Sequence, residues 1–136
     1  MKQLLALVLA LAVVTSVKAL SIQDFDQMSS KDSARYLTSL LKGTVEGLEQ
    51  HGNKQDADRL YKLFTEGDGL NQFVKQLHIF RALEKNKSAE HSGEQPRYQV
   101  EEVFAVTLKQ NGITVPLKFL LGINKDFKAT SGPADK

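Results

Sequence analysis

The chain has 136 residues, no cysteine, and 18 basic against 16 acidic side chains. The missing cysteines exclude a disulfide framework, a thiolate metal site, a cysteine nucleophile and lipid attachment at an N-terminal cysteine. Lys2 and Lys18 account for the whole basic excess, so the chain beyond residue 19 is electrically balanced along its length and lacks the basic footprint of a nucleic-acid binder.

The first segment has the three parts of an export signal: Met1-Lys2, the unbroken apolar run Leu4 to Val14, and a polar stretch with small residues at Val17 and Ala19. That run is little more than half of the about 20 residues a spanning helix needs. Residues 1-19 are therefore expected to be a signal peptide cleaved after Ala19. The remainder, 20-136, is expected to be one domain of about 117 residues, large enough for a core without cross-links. The expected location is secreted or periplasmic, with no stable membrane anchor after cleavage.

Leu20 to Met28 forms a lead-in whose Leu20, Ile22, Phe25 and Met28 can pack. Ser29-Ser30 is a helix N-cap with Asp32 suited to the N-terminal dipole. Leu37, Leu40, Leu41, Val45 and Leu48 then recur at helical spacing, and Gly52 serves as a stop, predicting a helix from about Ser30 to His51. Asn53 caps a second helix that runs to about Glu66 on the stripe Ala57, Leu60, Tyr61 and Phe64. Gly67-Asp68-Gly69 is a turn. A third helix follows to about Asn86, with Leu70, Phe73, Val74, Leu77, Phe80 and Leu83 on one face. The stretch at about 85-97 is polar and aperiodic, and reads as an exposed loop.

Two patterns compete from Tyr98 to Phe127. As helices, Pro96 stands at N1, and Val100, Val103, Phe104, Thr107 and Leu108 form a stripe ended by a Schellman stop at Gly112-Ile113. Val115-Pro116 then opens a last helix with Leu117, Leu120, Leu121 and Phe127 inward. As strands, Asn111-Gly112 is a strong hairpin turn that pairs Leu108 with Val115, Val106 with Leu117 and Phe104 with Phe119. That arrangement puts Glu102 on the apolar face and Pro116 inside a strand. The favoured fold is all-α, a small bundle of about five helices. The alternative is α+β, three helices plus a hairpin at Asn111-Gly112.

No catalytic, metal or nucleotide motif emerges. His51, His78 and His91 are the only imidazoles, and none has a second ligand at i,i+4. His51 is explained as a residue favourable to a helix C-terminus. The acidic pairs Asp24/Asp26, Asp56/Asp58, Glu66/Asp68 and Glu101/Glu102 fit no calcium loop and read mostly as solvated helix starts. Glu90-His91-Ser92-Gly93 lacks the setting of a serine nucleophile. Gly43 and Gly47 lie on one face of the first helix, where close packing offsets about 1 kcal/mol per glycine. They fit contact with another helix of the domain, or a dimer seam or partner face.

The string Tyr36-Leu37-x-x-Leu40-Leu41-x-Gly43-x-x-x-Gly47-Leu48 resembles the opening helix of small helical bacterial periplasmic proteins, including secretion-system immunity proteins. The resemblance implies an inhibitor of a secreted toxin, although the cysteines associated with that group are absent. The favoured expectation is an exported, non-enzymatic domain that binds a protein or a small ligand, without a cofactor, a metal or a nucleic-acid partner. The remaining alternative is a small hydrolase with a site assembled from residues such as His78, Arg81 and Glu84.

Overall fold

The structure, a computed structural model, describes residues 20-90 and 97-128. The expected signal peptide, His91 and Pro96 lie outside the described residues. Among the described residues there are six helices and no strand: α1 (Ile22–Gln27), α2 (Ser30–Gln50), α3 (Lys54–Thr65), α4 (Gly69–Glu90), α5 (Val100–Gln110) and α6 (Leu117–Ile123). The fold is the all-α bundle, and the hairpin alternative is not formed.

Local chemistry sets most of the boundaries. The Ser29 hydroxyl accepts from the Asp32 N–H at the start of α2, and the Asn53 amide oxygen accepts from the Asp56 N–H at the start of α3. Both α2 and α5 end in a Schellman motif. Asn53 and Gly52 donate back to Leu48 and Glu49, and Ile113 and Gly112 donate back to Leu108 and Lys109. The two glycines take φ of 78° and 77°, which an L side chain resists. Ile113 and Leu108 are both buried, so the apolar contact that accompanies this stop is present as well.

Three elements depart from the sequence expectation. The lead-in contains α1, capped by Ser21, which at six residues is too short to show a period. The third expected helix continues as α4 past Asn86 to Glu90, because Ala89 and Glu90 favour helix and no Gly or Pro intervenes. The start of α5 is Val100, with a reciprocal capping box between Gln99 and Glu102, rather than a point near Pro96.

One apolar cluster joins all the helices, with Ile22, Leu40, Leu60, Phe73, Phe104, Leu108 and Leu120 at its centre. α2 packs along α3 and α6, while α5 packs along α4 and α6. Edge-on aromatic pairs run through it from Tyr36 to Phe25, Phe73 and Phe104. Several buried polar groups are satisfied within the fold: Thr44 and Thr107 donate to the carbonyls of Leu40 and Val103, and Asn124 ties α6 to α2 through Tyr36 O and Ser39.

The face of α4 that meets the core is narrower than expected. Phe73, Gln76, Leu77 and Glu84 are buried on it, whereas Leu70, Val74 and Leu83 are exposed at its borders. On α6, Phe119 and Ile123 pack inward and Leu117 is exposed, so that stripe is rotated relative to its sequence reading.

Candidate functional site

Gly43 and Gly47 stand on the α2 face that meets α6. A Cβ on Gly43 would lie 2.6 Å from Ile123 Cγ2, and one on Gly47 would run into the Phe119 ring. Each glycine thus provides the seat for one α6 side chain.

Beside the Phe119 seat opens a cleft of about 320 Å³, the size of a small-ligand pocket. Its first wall is the last turns of α2: Thr44, Gly47, Leu48 and His51. Its second is the link Thr114-Val115-Pro116 with Phe119 of α6. The link takes this course because the Gly112 stop reverses the chain and Pro116, at φ −60°, opens α6.

His51 is the one ionisable side chain of the lining. Its Nδ1 lies 2.8 Å from the Gly47 carbonyl, and its ring stands edge-on to Phe119 at 6.5 Å. A carbonyl only accepts, so Nδ1 carries the proton, and in the neutral ring Nε2 is left as an acceptor. Thr44 spends its hydroxyl on Leu40, and Asn53 spends its amide on Asp56. The cleft therefore offers an apolar wall with one oriented acceptor at its rim.

Of the residues named for a scattered site, the structure brings His78 to Arg81 and gives Glu84 a different partner. Arg81 forms a two-pronged pair with Asp26 at 2.8 and 2.6 Å, tying α4 to α1, and its other amine meets His78 at 3.2 Å. Glu84 instead accepts the Tyr98 N–H at 2.7 Å. Among the described residues, no group of three or more His, Cys, Asp or Glu could hold a metal ion.

A second polar feature is absent from the sequence reading, which took Glu101 for a solvated acid. Glu101 is fully buried. Its Oε2 accepts the Tyr36 hydroxyl at 2.5 Å, and its Oε1 has no partner among the described residues. Burial pushes the Glu101 carboxyl above its ordinary range, and the Tyr36 hydrogen bond opposes this. Burial, reinforced by the Glu101 charge, pushes the Tyr36 phenol up as well, so Tyr36 remains the donor. The signal lay in the spacing, because Glu101 precedes Phe104 and Leu108 by three and seven residues and shares their face.

Comparison with known proteins returned no family model, no curated protein and no solved structure that matches the chain.

Proposed function

We propose that the chain is an exported, non-enzymatic binding domain, and that the α2–α6 cleft holds a small, mainly apolar ligand carrying one hydrogen-bond donor. The cleft carries this reading: an apolar wall of adequate volume beside an imidazole whose tautomer is set by the Gly47 carbonyl. The lining supplies no carboxylate to pair with His51, and a lone base lacks the partners that acid–base chemistry uses. Export is supported by the three-part N-terminus, and one-domain autonomy by the single core. No helix among the described residues is long and apolar enough to cross a membrane.

The experiment is an NMR titration with a panel of small phenols and indoles, which combine an apolar ring with one donor. Shift changes should centre on His51, Val115 and Phe119, and Thr114→Trp, at an exposed rim position, should abolish them. Changes scattered over the surface, or undiminished in Thr114→Trp, would refute the cleft as the site.

A further inference from the structure

One oxygen of the buried carboxylate has no partner among the described residues, and the Tyr36 hydroxyl that binds the other oxygen also meets the amide of the residue that follows the expected cleavage point. The Leu20 nitrogen lies 3.3 Å from the Tyr36 hydroxyl, which in turn donates to Glu101. Its backbone is also fixed there from the carboxyl side. The Val100 N–H donates to Leu20 O at 2.9 Å, and the Ile22 N–H donates to Tyr98 O at 3.1 Å. This short antiparallel clamp is itself buttressed, because Glu84 takes the Tyr98 N–H.

We propose that Tyr36 and Glu101 form a buried receptor for an α-ammonium group, and that its occupant is the Leu20 amine freed by cleavage after Ala19. The inference rests on the exported, processed state proposed above. Hydrolysis adds water across the Ala19–Leu20 peptide bond. The departing segment keeps a carboxylate, and the proton lost from that new acid ends on the Leu20 amine.

The chemistry at Leu20 changes in two ways. An amide nitrogen offers one N–H and no charge, whereas an ammonium offers three N–H groups and a full positive charge. One donor can stay on Tyr36 Oη while another reaches Oε1 of Glu101, the buried atom that has no partner among the described residues. A buried carboxylate is tolerated when it is paired and hydrogen-bonded, and both conditions are then met. Two independent readings converge on the same nitrogen. The small residues Val17 and Ala19 place the cut before Leu20 by sequence, and the orphan carboxylate oxygen lies beside that nitrogen's hydrogen-bond partner in the fold. Processing then does more than release the chain: it supplies the counter-ion that completes the core around α2 and α5.

The test uses the full-length chain exported by its own N-terminus and recovered after processing. Intact mass is read first. The folded protein is then reductively methylated with ¹³C-formaldehyde at near-neutral pH, and the rate at the N-terminal peptide is compared with that in urea. The expected result is a chain that starts at Leu20 and an α-amine that reacts at least tenfold more slowly when folded. A chain starting elsewhere would overturn the processing reading and the receptor with it. A chain starting at Leu20 whose amine reacts equally fast folded and unfolded would overturn the receptor alone. The wild-type rate needs no variant to fold. As an added measurement, two residues inserted between Ala19 and Leu20 should lower the urea midpoint of the exported product. That drop should vanish when both chains carry Glu101→Gln, and an equal drop in both backgrounds would contradict the pairing.

Discussion

A carboxyl with no exposed surface makes its environment measurable through pH. Where Leu20 is in peptide linkage, burial holds Glu101 above its ordinary value of 4.5, with the neighbouring Glu102 charge acting in the same direction and Tyr36 opposing. The neutral carboxyl's contribution to stability is then complete below pH 4.5 and is lost as pH rises through the raised folded value. The chain with two residues inserted before Leu20 should therefore lose its stability advantage over its Glu101→Gln counterpart as pH rises above 4.5 and through the raised folded value. The processed chain starting at Leu20 should keep that advantage at neutral pH, because its carboxylate is paired. Urea midpoints across the pH range check both signs. The glycines give a second residue-scale contrast. Gly47→Ala gains about 1 kcal/mol of helix propensity but forces its Cβ into the Phe119 ring, an overpacking that costs about 1–3 kcal/mol. A Cβ on Gly122 meets nothing within 4 Å. Gly47→Ala should lower the urea midpoint and Gly122→Ala should leave it equal or higher.

At the scale of elements, α5 separates helix from hairpin most sharply, since the two invert adjacent residues. Thr107 is fully buried and returns its hydroxyl to Val103, while Val106 is half-buried on the flank. Thr107→Lys should destabilise by several kcal/mol, the cost of a buried unpaired charge, and Val106→Lys by clearly less, read from urea midpoints at constant slope. The reverse order would mean that this segment is not the helix described. What the sequence made legible here were stops and starts: Ser29, Asn53, Gly52 and Gly112 mark α2, α3 and α5 because cap chemistry is local. What it concealed depends on neighbours. The edges of the α4 stripe are exposed because α5 covers only a narrow face, and Gln76 and Glu84 take the buried positions instead. The cleft was legible only through Gly47. His51, correctly placed at a helix end, meets Phe119, which is distant in sequence and whose orientation no periodicity reveals.

At the scale of the molecule, one cluster unites the six helices of the described residues, and none of them has a second core there to fall back on. Folding should be all-or-none, as for most single domains of this size. Electrostatics supplies the remaining whole-molecule prediction. The basic excess resides wholly in Lys2 and Lys18, so removing residues 1-19 leaves equal numbers of opposite charges. Several are paired at the surface, within one helix as in Arg59 with Asp56 or between helices as in Arg81 with Asp26. Affinity for nucleic acid comes chiefly from cations that displace condensed counter-ions, and its logarithm falls with log salt at a slope of about −0.9 per neutralised phosphate. Charge balance along the chain leaves no net positive field to draw a phosphate track. The processed domain should therefore bind a random-sequence duplex only weakly, with an affinity no tighter than the about 10⁻⁴ to 10⁻⁶ M of nonspecific binding at physiological salt. Fluorescence anisotropy across a salt series is the measurement. Sub-micromolar affinity near physiological salt, with a steep salt slope, would show that charge balance along the chain conceals a basic face in the fold.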